Sequence, residues 1–129
     1  MNVIHVVAAL ITDPDGRMLT VRKQGTEMFM NPGGKPEVGE SAVQALRREL
    51  VEEIGLDVTV RDLERIGTFT APAANEPGHV VTAEVFRLRL PDPTHCVGAE
   101  IAESVWIDPR DPGDIALAPL AVDHLMRLL

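Results

Sequence analysis

The feature that most constrains this chain is a glycine-containing loop that leads into a helix with sharply marked ends, at residues 34–56. Ser41 can cap the start of the helix, and Gln44, three residues later, completes a capping-box pattern. Gly55 suits the left-handed position just beyond the end. At about 100° per residue, the large apolar side chains fall on one stripe, which predicts that one side of the helix packs on a sheet. These residues are Val43, Leu46, Leu50 and Ile54.

Three carboxylates occupy the neighbouring side of this helix. Glu49, Glu52 and Glu53 are three and four residues apart, so they share one face. Like charges this close repel, and a bound hard cation is an economical counter-charge; oxygen ligands favour Mg²⁺ or Mn²⁺. Taken alone, glutamates at this spacing are usually just a solvated helix face. The glycine loop before them, with Arg48 and Gly55 at fixed offsets, favours the metal interpretation.

The same stretch resembles the signature of the Nudix hydrolases, and every fixed position of that signature is met. The matching pattern is Gly34, five residues, Glu40, seven residues, Arg48-Glu49-Leu50, one residue, Glu52-Glu53, one residue and Gly55-Leu56. The resemblance implies an α/β Nudix fold, in which a mixed β-sheet is sandwiched between α-helices. The signature would form a loop–helix–loop at one edge of the sheet.

The resemblance also implies roles for residues of the signature. Glu52 and Glu53 would be metal ligands, with Glu49 beside them as a ligand or as the general base. The backbone carbonyl of Gly33 would supply another oxygen ligand. Arg48 would hold Glu49 in position rather than touch the metal.

Further residues are implied at and beyond the signature. Glu40 would stabilise the loop without binding the metal itself. Glu100, six residues before Trp106, matches in spacing the outlying catalytic glutamate of MutT-type members. Glu103 is its rival, and Glu100 is preferred. Which glutamate acts as the base stays open, because family members differ in this respect.

The reaction implied by the resemblance is attack of water on a phosphorus of a nucleoside diphosphate linked to another group. The chain length resembles compact MutT-like members, which cleave (deoxy)nucleoside triphosphates, oxidised ones included, to monophosphate and pyrophosphate. ADP-ribose or a nucleotide sugar is the alternative, since Pro72 lies 16 residues past Leu56, as in the ADP-ribose group. A remote alternative is a non-catalytic nucleotide-binding module, against which the intact glutamate cluster speaks.

Candidate substrate contacts lie before and within the signature loop. Arg22 and Lys23 end a predicted strand near the site and, with Lys35, are candidates for phosphate contacts. Phe29 is a candidate for lining a base pocket. Asn31 departs from the MutT-like pattern, which often has an aromatic or aliphatic residue there.

The bulk properties set limits on the class of protein. A length of 129 residues predicts one domain, 1–129. A single cysteine, Cys96, predicts no intrachain disulfide and, with no signal peptide or membrane span evident, a cytoplasmic setting. The net charge of −8 argues against nucleic acid as the partner and leaves a small nucleotide as the expected one. A homodimer is common among relatives, and the oligomeric state stays open.

Hydrophobic patterning predicts the remaining elements. We expect a strand buried on both faces at residues 3–12, a turn at 13–16, and strands at 17–23, 27–31, 56–60, 65–70, 80–90 and 104–108. A closing helix is expected to start near Pro119 and to bury Leu120, Leu125 and Leu128.

Overall fold

A six-stranded mixed sheet forms the centre of the computed structural model, which describes residues 2–129. The strands are β1 (Asn2–Thr12), β2 (Met18–Lys23), β3 (Gly33–Gly34), β4 (Glu64–Pro72), β5 (His79–Arg89) and β6 (Ile101–Ile107). Their order is β4-β5-β1-β2-β6, with β3 paired to β1. Helix α1 (Ala42–Ile54) lies on one face. A π-helical turn (Ala121–Leu125) and a 3₁₀ turn (Met126–Leu128) lie on the other. The predicted α/β class, with a mixed sheet between two helical layers, is confirmed.

Strand β1 organises the sheet because its two edges are used differently. One edge pairs in parallel with β5 along its whole length. The other edge is shared: Val7 and Ala8 pair with β3, whereas Thr12 pairs with Met18 of β2. Between these pairings lies the segment that leads into β3: Met30 bridges to Val21 of β2, and the Pro32 carbonyl accepts a hydrogen bond from the Ala9 N–H of β1 at 2.8 Å.

The hairpin between β1 and β2 is formed as predicted, and Asp13 stabilises it. The Asp13 carboxylate accepts hydrogen bonds from the backbone N–H groups of Asp15 and Arg17 at 3.0 and 2.8 Å. It also accepts one from Nε of Arg17 at 2.7 Å. Side-chain bonds of this kind are typical of Asx-turns.

Two hydrophobic clusters fill the space between the layers. Leu46, Leu50 and Ile54 of α1 are fully buried against the sheet, as predicted, and Val43 packs at the margin. On the opposite face Leu120 and Leu125 are buried, also as predicted.

Leu128 was expected to be buried and is 46% exposed. The last turn of the chain, Met126–Leu128, contains no buried residue. The hydrophobic cluster on this face ends with Leu125 and the partly buried Met126, so Leu128 lies beyond the packed layer.

Two of the predicted strands are wrong. Residues 27–31 form only isolated bridges, Phe29 with Leu117 and Met30 with Val21. Residues 56–60 form a loop that leads into a 3₁₀ turn (Val60–Asp62), and Leu56 and Val58 pack into the α1 cluster instead of pairing. Short apolar runs carry no signal that separates a strand from a buried loop.

Two further boundaries differ from the prediction. Strand β1 is buried on both faces only from Val7 onward, because the hydrophobic clusters begin there. Strand β6 starts at Ile101, three residues earlier than expected, so Glu103 lies within a strand. Among residues 2–129, no helix combines the length and the apolar character needed to cross a membrane.

Candidate active site

The ends of α1 are capped as the sequence predicts. The Ser41 hydroxyl accepts a hydrogen bond from the Gln44 N–H at 3.2 Å, and the Gln44 side chain accepts one from the Ser41 N–H at 2.8 Å. Gly55 adopts φ 66° just past the last turn. Because the caps set the length and the buried leucines set the rotation, the acidic face of α1 is held next to the loop that precedes it.

Arg48 joins this loop to the acidic face. Its guanidinium donates to Glu40 at 2.8 and 2.9 Å, to Glu49 at 2.8 Å and to Glu52 at 3.4 Å. It also donates to the carbonyl of Lys35 at 3.2 Å. The hydrogen bonds from Arg48 hold the pKa of Glu40 below its usual value, and Glu40 in turn raises the pKa of Arg48. Both groups stay ionised, and the cross-link persists at neutral pH.

Glu53 has a different environment from the other two glutamates of the helix. It is only 4% exposed, and its Oε1 accepts a hydrogen bond from the Gly33 N–H at 3.1 Å. Burial raises the pKa of Glu53 to about 8; the Gly33 N–H opposes this shift, the charge of Glu49 adds to it, and Lys23 opposes it. A buried carboxylate beside a second one gains the most from a nearby cation.

The two glycines of β3 let the backbone approach these carboxylates. A Cβ on Gly34 would lie 2.7 Å from the carboxylate of Glu49. A Cβ on Gly33 would collide with the carbonyl oxygen of Val7 in β1. A larger residue at position 34 would therefore displace the Glu49 carboxylate, and one at position 33 would push β3 away from β1.

The donor set of this region fits a hard divalent cation. Glu49, Glu52, Glu53 and the carbonyl of Gly33 offer only oxygen, which suits Mg²⁺ or Mn²⁺. Glu53 also supports the fit, because burial and the charge of Glu49 disfavour its ionised form, and a bound cation would stabilise that form. Within residues 2–129 no three such side chains already converge on one point. Glu52 is held only by the 3.4 Å hydrogen bond from Arg48 and its side chain is 53% exposed, so it has room to turn toward an ion.

A cavity of about 530 Å³ adjoins the acidic face. Its charged lining residues are Lys23, Lys35, Glu49, Glu76 and Glu100. Its apolar lining residues come from both hydrophobic clusters, and include Val7 and Met30 on the α1 side and Val6, Ala8, Val81 and Leu120 beneath the C-terminal turns. The cavity therefore combines charged and apolar side chains, and its volume is in the range of small-ligand sites.

The structure separates predicted site residues that are neighbours in the sequence. Lys23 lines the cavity, but Arg22 donates to Glu103 at 2.9 and 3.1 Å and to the carbonyl of Thr26 at 2.7 Å. Successive side chains of a strand point to opposite faces, which is why only Lys23 reaches the cavity wall. Phe29 is 8% exposed, lies under the Arg22 guanidinium at 5.9 Å, and is not among the lining residues.

The two outlying glutamates are also separated. Glu100 lines the cavity next to Lys23, and its carbonyl accepts a hydrogen bond from the Gln24 N–H at 2.8 Å. Glu103, on β6, is paired with Arg22. Of the two, Glu100 is the one that faces the cavity.

Several parts of the site carried no sequence signal of function. The loop at residues 73–76 and the segment at 118–120 contribute to the cavity wall. Gly98 lies against the end of α1, where its N–H donates to the Glu53 carbonyl at 2.8 Å. Asn31 is buried in the cavity wall, although its unusual residue type at that position was visible in the sequence.

The chain matches known proteins along nearly its whole length. A NUDIX domain model matches residues 2–128. The ADP-ribose pyrophosphatase of Methanocaldococcus jannaschii is 30% identical over 126 residues, covering 94% of this chain and 70% of that protein. The CTP pyrophosphohydrolase of Escherichia coli is 32% identical over 131 residues, covering 97% and 90%. The solution structure of the E. coli ORF135 protein superposes with a TM-score of 0.68 at 28% identity, covering 97% of this chain and 87% of that one.

Proposed function

The chain belongs to the Nudix family, and from that membership we propose that it hydrolyses a (deoxy)nucleoside triphosphate to the monophosphate and pyrophosphate. As a member it is a hydrolase of phosphoric anhydride bonds in nucleotide-linked substrates. The observation that supports the narrower proposal is the cavity, which offers both charged and apolar side chains. A triphosphate needs charged side chains, and a base needs apolar surface. Triphosphates of oxidised bases fall within this class.

The protein's own residues would bind and orient the triphosphate. Lys23 and Lys35 line the cavity and would approach the phosphate oxygens. Arg48 would keep the carboxylates of Glu49 and Glu52 in place through the hydrogen bonds described above.

Bound Mg²⁺ or Mn²⁺, held by Glu49, Glu52, Glu53 and the Gly33 carbonyl, would neutralise the diphosphate charge and polarise the bond that breaks. Glu100 lies in the cavity wall and would accept the proton of the attacking water. Glu49 is the alternative base. The electron pair of the broken bond leaves with the pyrophosphate oxygen.

A second candidate substrate is ADP-ribose. Pro72, whose position resembles that of the ADP-ribose group, lies in the cavity wall with the loop that follows it. The 30% identical relative from M. jannaschii carries the name ADP-ribose pyrophosphatase. A ribose phosphate in place of pyrophosphate would extend toward this loop.

A hydrolysis screen in ¹⁸O-labelled water tests the proposal. Nucleoside and deoxynucleoside triphosphates, 8-oxo-dGTP, ADP-ribose, nucleotide sugars and dinucleoside polyphosphates are each incubated with Mg²⁺, and the products are identified by mass spectrometry. We expect triphosphates to yield monophosphate and pyrophosphate, and excess chelator to stop the reaction. Preference for ADP-ribose would select the second candidate, and hydrolysis of none of these compounds would contradict both.

The Glu52→Gln variant tests whether this activity depends on the proposed site. We expect the turnover rate to fall at least about 10²-fold, the usual scale for losing a key electrostatic group. Glu64→Gln is the matched control, since it removes the same charge at an exposed position of β4. Equal rates in the two variants would contradict the site assignment.

A further inference from the structure

Two backbone hydrogen bonds fix the segment at residues 96–98 to the end of helix α1. The Gly98 N–H donates to the Glu53 carbonyl at 2.8 Å, and the Cys96 N–H donates to the Ile54 carbonyl at 3.1 Å. These carbonyls belong to the last turn of the helix, where backbone acceptors have no partner within the helix itself. The segment therefore completes the hydrogen bonding of the helix end and is held against it.

Gly98 is a glycine for a steric reason. Its φ lies outside the positive range that favours glycine, so φ alone would not exclude a larger residue. A Cβ at this position, however, would collide with the carbonyl oxygen of Glu52 and lie 3.2 Å from the carbonyl carbon. The missing side chain is what allows the segment to approach the helix so closely.

The 96–98 segment, rather than the helix, would move if a side chain were added. Leu50 and Ile54 anchor the last turn of α1 in the core, where both are fully buried. Cys96 and Val97 are exposed and have no such anchor. Parts of a protein with few buried contacts shift at the lowest cost. An added methyl group should therefore displace the segment and leave the carboxylates of α1 in place.

Glu100 is the cavity-lining residue that depends on this contact. It follows Gly98 by two residues, so their Cα atoms are at most about 7 Å apart. The Gly98 carbonyl accepts a hydrogen bond from the Ile101 N–H at 3.1 Å, and the Glu100 carbonyl accepts one from the Gln24 N–H at 2.8 Å. Glu100 thus lies between an attachment to α1 and an attachment beyond β2, and a shift of Gly98 changes its position in the cavity wall.

We propose that Gly98 is a positioning residue for the reaction. Because it has no side chain, the 96–98 segment docks on the last turn of α1, and this contact sets the position of the Glu100 carboxylate relative to the carboxylates of the helix. The inference rests on the proposed function, in which Glu100 accepts the proton of the attacking water. A methyl group on Gly98 would force a separation of roughly 1 Å, and misplacement of this size costs about 10²-fold in rate.

Gly98→Ala tests this role with the triphosphate that the wild-type enzyme hydrolyses fastest. We expect kcat to fall about 10- to 100-fold, while the melting temperature shows a folded protein. The affinity for Mn²⁺, measured by titration calorimetry, should stay the same because the carboxylates of α1 do not move. Gly113→Ala is the matched control, since it adds the same methyl group at an exposed position with nothing within 4 Å. It should leave both quantities unchanged.

A double variant distinguishes positioning of Glu100 from a general weakening of the structure. If Gly98 acts through Glu100, then Gly98→Ala should cause little further loss of kcat in a protein that already carries Glu100→Gln. Residues that act through one another give such non-additive effects, whereas independent residues give losses that multiply. Losses that multiply would overturn the proposal.

Insertion of one glycine between Gly98 and Ala99 tests the same coupling without a collision. The insertion adds no atom against α1 and keeps the donors of both hydrogen bonds, and lengthening a connection by one residue costs little. It moves Glu100 one residue further from its attachment to the helix. We expect the same loss of kcat with unchanged Mn²⁺ affinity, and full kcat would overturn the proposal. This variant decides the question if Gly98→Ala does not fold.

The outcomes separate this inference from the proposed function. If the wild-type enzyme hydrolyses no nucleoside triphosphate, the proposed function fails. If Glu100→Gln keeps full kcat, Glu100 is not the base, and the role of Gly98 falls with that assignment. If Glu100→Gln is impaired and Gly98→Ala is not, the role of Gly98 is overturned and the function stands. A parallel loss of Mn²⁺ affinity in Gly98→Ala would also overturn it, because the metal ligands would then have moved.

Discussion

Arg48 holds Glu40 by two hydrogen bonds, from Nε at 2.8 Å and from Nη2 at 2.9 Å, across eight residues of sequence. The third nitrogen of the same guanidinium donates to Glu49 at 2.8 Å. One rigid planar group therefore sets the distance between the loop and the acidic face of α1. Both carboxylates lose their orientation if this group is replaced by one of different shape.

Arg48→Lys should lower kcat/KM about 10- to 100-fold while the protein stays folded. A lysine ammonium is a point charge on a flexible stem and cannot bond Glu40 in a bidentate manner while also holding Glu49. Misplacement of catalytic groups by about 1 Å costs rates of this size. Steady-state kinetics with melting temperatures measure the effect. Arg47→Lys is the control, because Arg47 bonds the Val58 carbonyl instead; equal losses in both variants would contradict the prediction.

Gly34→Ala should weaken Mn²⁺ binding about tenfold or more, the usual scale for disturbing groups that orient metal ligands. The added Cβ would lie 2.7 Å from the Glu49 carboxylate and displace it. Titration calorimetry measures the change. Gly16→Ala serves as the control, since Gly16 has φ 79° and open space around it. It should cost about 1 kcal/mol of stability and leave Mn²⁺ affinity unchanged.

Glu53 should make the metal-free protein less stable as the pH rises. Its pKa is about 8 in the folded protein against an ordinary value of 4.5, so folding favours the protonated form. The stabilisation is fully present below about pH 4.5 and is lost as the pH rises through about 8. With chelator present, Glu53→Gln should melt with the wild type at pH 5 and above it at pH 9. If the difference in melting temperature between the two proteins is the same at pH 5 and at pH 9, the prediction is contradicted.

At pH 8, added Mg²⁺ or Mn²⁺ should make the wild type melt at a higher temperature than Glu53→Gln. A ligand that binds only the folded state stabilises it, and the proposed cation would contact the ionised Glu53 of the wild type. The wild-type melting temperature should therefore rise more than that of Glu53→Gln. An equal rise in both proteins would count against Glu53 as a ligand.

Glu100→Gln should lower kcat about 10²- to 10⁴-fold, the range for losing a general base. Glu100 lines the cavity, whereas the Glu103 carboxylate is bonded to Arg22. Glu103→Gln should therefore change kcat only a few-fold. The pH–rate profiles of the two variants distinguish a base from a structural residue, because only loss of the base removes the acidic limb. The opposite ranking would assign the role to Glu103.

Local features were predictable because their partners are close in sequence. The Ser41–Gln44 capping box and the left-handed Gly55 involve hydrogen bonds within one turn, so the residues themselves specify the geometry. The strands predicted at residues 27–31 and 56–60 failed for the opposite reason. Whether a short apolar run pairs depends on its tertiary contacts: Phe29 and Met30 form only isolated bridges with Leu117 and Val21, and Leu56 and Val58 pack into the α1 cluster.

The sequence by itself determined the α/β fold class, the acidic helix and the hydrolase family. The reason is that the residues of the signature, and the caps of its helix, are close together in the sequence. The tertiary structure alone decided which side chains face the cavity: Lys23 and not Arg22, and Glu100 and not Glu103. These outcomes follow from strand pairing and from packing between segments far apart in the chain. Neither strand pairing nor long-range packing produces a periodic pattern in the sequence.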